Sequence, residues 1–431
     1  MKKLTESELF LYLKRKHRLD LENRKNKKRI KKVQKKTPYN SNILNLLQDN
    51  LLLKKLKHKR FRNVNIPQNF SFIDNPIDTL QIIKQLATYT RLPIKIKGIS
   101  INHFNVESID LAAETILDLT VLEMEKEIKS HNRKFELKGQ YPKDKHLKRF
   151  IRAIGIVKNL DIKHELLSKD EEKDLRIFKM RNSKFFQKDN IEQSDYKENT
   201  VADFVDHINS CLISNGRELK PEAKIKLADY TGEIISNVED HTDINEWSVV
   251  GYLDNSGETH ACEITIFNFG NTMSTTLRNL PKDHYTRKVI SPYIELHNKS
   301  GWFSAEWNEN DLLTLIALQG DISSKNTNEQ MDRGQGTVEM IDFFQQMHKE
   351  CINKGKSCAK MAILSGSTHI LFDGHYSMSS VNGRNVIAFN KDNDLNQMPD
   401  KKYITNLGDK YFPGTIISIR FPLQDTQTQR A

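Results

Sequence analysis

The chain has little cysteine and no long apolar run. Its four cysteines, Cys211, Cys262, Cys351 and Cys358, form no Cys-x-x-Cys pair. That excludes a metal ribbon and leads us to expect free thiols in a reducing compartment. The longest apolar stretches, such as Leu312–Leu318, fall far short of the ~18 residues that a membrane span needs. The chain does not open with the basic, apolar and small-residue succession that directs secretion. Together these absences predict a cytoplasmic protein with no membrane partner. What is present is enough for packed cores: 37% of the 431 residues are hydrophobic, and the length leaves room for two or three domains.

The formal net charge of +11 is unevenly spread. Residues 1–62 carry 21 Lys and Arg against 5 Asp and Glu, which leaves 46 basic and 51 acidic residues for the remainder. A strongly basic segment therefore precedes a mildly acidic body. Its densest part lies within residues 24–36 and includes Lys27-Lys28-Arg29-Ile30-Lys31-Lys32. Such a cluster can gain counterion-release energy on nucleic acid. The alternative is a helical or disordered solvated tail. No aromatic residue interrupts Arg24–Lys36, so base stacking is not indicated.

From about residue 63 the composition becomes globular. Helical spacing runs over Asp78–Tyr89, Leu111–Ile128 and Leu147–Gly155. Pro93–Asn102 alternates like a strand, and Phe135–Lys138 reads as another short one. Residues 63–165 are thus predicted to form a small α/β unit. Residues 166–199 are polar and charged, with Lys169-Asp170-Glu171-Glu172-Lys173 and few apolar anchors, and predict a linker.

Three blocks in the C-terminal half carry chemistry. Glu233, Asn237 and His241 are spaced four apart, so a helix puts a carboxylate, a carboxamide and an imidazole on one face. The alternating run Glu263–Phe267 leads into Asn268-Phe269-Gly270. Arg333-Gly334-Gln335-Gly336-Thr337 is a glycine-rich turn that runs into the apolar helix Val338–Phe344. Physically these read as a general base with a metal ligand, a base-reading loop and a phosphate cradle. A fourth segment, Gly414–Leu423, alternates like a strand and opens with Gly414-Thr415. Each block alone is commonplace; their order and spacing carry the weight. For His241, no second His or Cys lies nearby in sequence, so a pocket-edge polar residue fits better than a zinc ligand.

Taken in order, these four blocks resemble the GHKL ATP-binding fold of gyrases, Hsp90-type chaperones, MutL, histidine kinases and anti-sigma-factor kinases. The resemblance covers about residues 200–425 and implies a two-layer α/β sandwich, ATP with Mg2+ as cofactors, and a lid over 271–333. It implies that Glu233 activates water or an acceptor hydroxyl and that Asn237 binds magnesium. Asn268 stands where the family usually has an Asp that accepts from the adenine amino group. Gly270 lets the backbone approach the base, and Thr415 forms the pocket floor. Gly334, Gln335, Gly336 and Thr337 form the phosphate turn, and Lys325 or Arg333 neutralises phosphate charge. Two departures stand out. Asn268-Phe269-Gly270-Asn271-Thr272 lacks both the acid and the second glycine of the family's Asp-x-Gly-x-Gly. Asp332 occupies a position where a further glycine is common. Both predict modest affinity for ATP or a relaxed base preference.

The preceding α/β unit resembles a STAS domain. The carrying stretches are Ile99–Ala113, with Val106, Ile109 and Asp110, and Lys145–Val157, with Gly155. Regulatory members have a phosphorylated serine in an Asp-Ser-Ser-Gly loop. Here Asp110-Leu111-Ala112-Ala113 offers no hydroxyl and only Ser108 lies near, so a docking role is implied. The whole predicts an ATP-binding regulatory protein with slow Mg-dependent hydrolysis and a protein partner or self-association. A serine/threonine kinase of the anti-sigma type and a nucleic-acid-associated ATPase are the alternatives. Residues 426–431 read as a tail.

Overall fold

A computed structural model describes residues 38–55, 59–92, 96–131, 133–155, 167–168, 175–182, 193–213, 217–240, 246–254, 261–299, 308–320, 322–323, 326, 335–352, 359–381, 383–422 and 428–430. The fold is mixed α/β with both parallel and antiparallel sheets.

The N-terminal unit runs α1 (Asn42–Leu47), α2 (Asn50–Lys55), β1 (Phe61–Asn65), β2 (Asn69–Phe70), α3 (Pro76–Tyr89), β3 (Gly98–Asn102), β4 (Ser108–Ile109), α4 (Leu111–Ser130), β5 (Glu136–Gln140) and α5 (Lys145–Ile154). Strands β1, β3 and β5 form a parallel sheet, and β2 pairs with β4, also in parallel. Pro76 opens α3, where its missing N–H costs nothing. Asp110 caps α4 by accepting from the Ala113 N–H at 2.7 Å, and the same carboxylate accepts from Ser71 Oγ and the Ile73 N–H. Asp110 is therefore a buried structural cap and not a loop residue.

The unit begins earlier than composition suggests. Ile43, Leu44 and Leu47 of α1 lie in its core, and Ser41 caps α1 while its own N–H donates to Glu127 on α4 at 2.9 Å. The basic segment expected over 1–62 thus ends in folded structure. Residues 1–37, including the cluster at 24–36, lie outside the described residues.

The larger unit contains β6 (Leu175–Asn182), α6 (Gln193–Ile213), β7 (Arg217–Leu219), α7 (Pro221–Asp240), β8 (Glu246–Asp254), β9 (Ala261–Phe269), α8 (Met273–Arg278), α9 (Tyr285–Lys299), α10 (Glu309–Ile316) and α11 (Gln335–Ile352). It continues through β10 (Lys360–Gly366), β11 (Thr368–Phe372), the hairpin β12 (Ser379–Val381) and β13 (Arg384–Val386), β14 (Ile404–Asn406), β15 (Phe412–Pro422) and β16 (Thr428–Arg430). Seven strands form one antiparallel sheet in the order β14-β11-β10-β15-β9-β8-β6.

Two expectations are corrected here. Part of the predicted linker 166–199 is the edge strand β6, paired with β8 from Leu175↔Asp254 to Asn182↔Trp247. Part of the predicted lid 271–333 is core, since Leu277, Ile290, Ile294, Leu312 and Ile316 pack with the sheet and its helices.

Alternation along the strands sorts the sheet into two faces. Ile264 and Ile266 of β9, Ile417 and Ile419 of β15, and Met361 and Ile363 of β10 share a core with Leu227, Ile235, Ile341 and Phe344 of α7 and α11. Phe267, Phe269, Ile416 and Leu364 turn the other way, into a core with Leu111, Ala112, Ala113 and Leu117 of α4. Helix α4 is buried nearly all round, as a helix enclosed between two layers must be. Its alanines allow close approach. The N-terminal unit therefore covers this second face, and the large sheet becomes a middle layer.

Polar contacts pin this junction. Glu263 and Arg420 are direct cross-strand neighbours on β9 and β15. Glu263 accepts from Arg420 Nε and from the Leu111 N–H at the start of α4, each at 2.8 Å, and Arg420 Nη2 donates to the Ile109 carbonyl at 2.7 Å. Burial pushes the Glu263 carboxyl upward against the pull of Arg420, while Glu263 raises the Arg420 guanidinium. Lys84 Nζ donates to the Tyr411 carbonyl at 3.2 Å, and burial lowers its ammonium. His369 Nε2 bonds the Phe72 carbonyl at 2.9 Å; a carbonyl only accepts, so Nε2 carries the proton.

Burial pushes His369 down to about 4 from its ordinary value of 6.5. The folded state thus favours neutral imidazole, so stability is fully present above pH ~6.5 and is lost as pH falls through ~4. Acidification across that window should cost about 3 kcal/mol from this group. His369→Gln should flatten that part of a urea-denaturation pH profile, and an unchanged slope would contradict the assignment.

Candidate functional site

One end of the large sheet carries a row of polar side chains on the α7 and α11 face. The registers Asn268↔Thr415, Thr415↔Ser365, Ser365↔Thr368 and Thr368↔Asn406 run across β9, β15, β10, β11 and β14. An apolar core residue lies two positions inward of each on the same face (Ile266, Ile417, Ile363, Ile370 and Ile404), so the row closes off a hydrophobic core. Asn268 is 2% exposed, and its Oδ1 accepts from the Thr415 N–H at 3.0 Å. Thr415 Oγ1 and Ser365 Oγ share a hydrogen bond of 2.9 Å, and Ser365 Oγ also accepts from the Met273 N–H at 3.0 Å.

The far end of the row is structural. Asp311 of α10 accepts from Thr368 Oγ1 at 2.7 Å, from Asn406 Nδ2 and, within its capping box, from the Asn308 N–H. Burial raises its carboxyl, and these bonds oppose the rise. With its oxygens engaged in this way, Asp311 is a brace for the row.

Two glycines shape the near end. Gly270 follows β9 with φ +137°, and its N–H donates to the Pro413 carbonyl at 3.0 Å. Gly414 has φ +146°, and a Cβ there would lie 2.0 Å from the Asn268 carbonyl oxygen. Backbone crosses backbone at this point, and only glycine permits it. Asn268, Gly270, Gly414 and Thr415 therefore form one rigid corner.

Chain geometry places the helical motifs beside it. Helix α7, which carries Glu233 and Asn237, packs on β8 and β9. It ends at Asp240, and the chain rejoins the sheet at Glu246, opposite Phe269. Five intervening residues span at most ~18 Å, so the last turn of α7, with Asn237, and the Asn268 corner lie at the same end of the layer. Helix α11 packs on α7, β10 and β15. Its C-terminus leads by a short connection to Lys360, at the opposite end of β10 from Ser365. Its N-terminus, with Gln335, Gly336 and the half-buried Thr337, therefore points toward the corner. A helix start offers free N–H groups and a positive dipole end to an anion.

The sequence-predicted residues thus divide. Asn268, Gly270 and Thr415 are brought together, and Thr337, Gln335 and Gly336 open a helix at the same end. The side chains of Glu233, Asn237 and Gln335 lie outside the described residues, as do His241, Lys325, Arg333 and Gly334 entirely. Among the described residues no group of three or more His, Cys, Asp or Glu is arranged to hold a metal ion. Sequence reasoning missed Ser365 and Gly414. Gly414 was visible as the residue before Thr415, but Ser365 required knowledge that β10 pairs with β15.

Gly414→Ala should break the corner. We expect a loss of at least about 2 kcal/mol in thermal or urea unfolding, from the backbone clash and the left-handed φ together. A melting curve superimposable on wild type would show that the corner is not rigid.

Comparisons with protein-family models, curated proteins and solved structures found no match for this chain.

Proposed function

We propose that the chain is a nucleotide-binding regulatory protein of the GHKL type, taking ATP with Mg2+ at the Asn268 end of the large sheet and hydrolysing it slowly. The observation that carries this reading is the direct pairing of Asn268 with Thr415. Two motifs 147 residues apart meet as one polar floor, on the face where α7 and the start of α11 also lie. An arrangement of buried polar groups at the end of an apolar layer, flanked by a helix N-terminus, suits a base at one side and phosphates at the other.

In this reading Glu233 orients water for attack on the terminal phosphate and takes up its proton, and Asn237 supplies an oxygen to magnesium. The magnesium, when bound, draws charge from the phosphate oxygens. The phosphates sit against the first turn of α11, whose unpaired N–H groups favour negative charge. Nucleotide state reaches the N-terminal unit through β9, because Asn268 lies on one face and Phe267, Phe269 and Glu263 bear on α4 from the other. The coupling runs through a packed junction, which differs from the loosely tethered docking that the charged stretch 166–199 implies.

Calorimetry with Mg-ATP on the full chain tests this reading. Asn237→Ala should weaken Mg-dependent binding by about tenfold, equivalent to ~1.4 kcal/mol. Glu233→Ala should retain binding and lose turnover by about a hundredfold or more. Equal binding with magnesium and with EDTA, in both wild type and Asn237→Ala, would sink the metal assignment. Wild-type turnover in Glu233→Ala would return that residue to an ordinary surface acid.

A further inference from the structure

The parallel sheet of the N-terminal unit is covered on one side only. Val64 of β1 and Ile99 and Ile101 of β3 share a core with Leu80 and Ile83 of α3 and Ile116 of α4. Residues of the opposite parity, Phe61, Asn63 and Asn65 on β1 and Glu136, Lys138 and Gln140 on β5, are exposed. Parallel sheets almost always have both faces buried, because their crossover helices supply the cover. An open face on such a sheet is the exception that needs a reason.

Three kinds of group share this face. Its middle is a patch of amides and a hydroxyl, set side by side by the registers Asn63↔Ser100 and Asn65↔Asn102↔Gln140; such groups both donate and accept. Two aromatics stand at its ends. Phe61 is 56% exposed, and its ring lies so close over the middle strand that a Cβ on Gly98 would come within 3.0 Å of it. Phe104, just past the end of β3, is 39% exposed and has the Lys143 ammonium 4.4 Å from its ring centroid. The third kind is charge. Lys59, Arg60, Lys97, Lys134, Lys138 and Lys143 are all exposed around the sheet. Backbone bonds from the Lys97 N–H to the Arg60 carbonyl and from the Glu136 N–H to the Lys97 carbonyl hold the basic strand starts abreast. Glu136, the acid on the face itself, is paired with Lys138 at 3.0 Å. Of the neighbouring acids, Asp144 caps α5 and Glu107 accepts from Gln68.

We propose that this open face binds single-stranded nucleic acid. Phe61 and Phe104 stack on bases, the amide patch meets base edges, and the basic rim holds phosphates. A single strand presents all three partners at once. A duplex does not, since its bases stack on one another and offer no free ring face. A protein partner fits less well, because interface cores are rich in aromatic and apolar side chains and this face has amides at its centre. The inference concerns the N-terminal unit alone and stands whether or not nucleotide binds at the Asn268 end. It also differs from a contact through residues 24–36, which hold no aromatic side chain.

The test is fluorescence anisotropy of the full chain with a labelled oligothymidylate of about a dozen residues, single-stranded or annealed to its complement. In the wild type, and equally when Lys27, Lys28, Arg29, Lys31 and Lys32 are replaced by Gln, we expect the single strand to bind about tenfold more tightly than the duplex. Phe61→Leu keeps an apolar side chain but removes the stacking ring, and should weaken single-strand binding by about tenfold. Lys138→Gln removes one phosphate contact and should reduce the slope of log K against log salt by about 0.7. Circular dichroism checks the fold of each variant, and the exposed Lys138 position decides the matter even if Phe61→Leu does not fold. No binding of the single strand overturns the proposal, as does duplex binding of equal strength. Binding indifferent to Phe61→Leu and Lys138→Gln, and lost only with the five Gln replacements, moves the contact to the basic segment and overturns it too. A dimer that Phe61→Leu dissociates in sedimentation velocity, in a chain that binds no oligonucleotide, would give the face to a second copy instead.

Discussion

The pairing of β9 with β15 is the constraint on which the rest of the structure depends. Nine consecutive registers, from Gly414↔Phe269 to Pro422↔Ala261, fix these two strands at the centre of the sheet. The placement of Asn268 beside Thr415 and of Glu263 beside Arg420 is a consequence of that register. A slip of one residue would turn Asn268 and Thr415 to the wrong face and exchange the apolar sets of both cores. The register is held at one end by the Asn268–Thr415 bond and the crossing at Gly414, and at the other by Glu263 and Arg420. Between them, β-branched residues such as Ile264, Ile266, Ile417 and Ile419 fill one core.

The same two strands serve two unlike surfaces. On one face they close a hydrophobic layer with a polar row at its end. On the other they support α4, whose first N–H is held by Glu263 and whose cap is Asp110. Breaking a buried pair such as Glu263–Arg420 by removing one partner is costly, because the other charge and the Leu111 N–H would be left without compensation. This explains why the N-terminal unit is packed and not tethered. A change at the Asn268 corner that tilts β9 must be felt by Phe267 and Phe269, which are nearly closed off against α4 and the strands beside it.

Much of this was legible in the chain, and the reasons for the remainder are physical. Helices α3, α4 and α5 follow the apolar periodicity, with ends near the expected residues, and β9 and β15 follow the alternation around Asn268 and Thr415. Strand β6 escaped because Leu175-Arg176-Ile177-Phe178-Lys179-Met180-Arg181-Asn182 carries the charges that protect a sheet edge. Helix α1 escaped because three buried apolar side chains, Ile43, Leu44 and Leu47, are outweighed by the lysines around them. Ser365 could not be found from spacing at all. Its place beside Thr415 is a property of long-range pairing, which no local pattern encodes. The expected lid was mistaken in part for a similar reason, since α8, α9 and α10 complete a core assembled from distant strands.

Amide hydrogen exchange on the full chain, with and without Mg2+ and purine nucleoside triphosphates, tests the central claim most directly. The account predicts slowed exchange in the Asn268–Met273 turn, at Pro413–Ile416 and in the first turns of α11 when nucleotide is present. Exchange that is unchanged in all three segments, with any slowing confined to other parts of the chain, would contradict it.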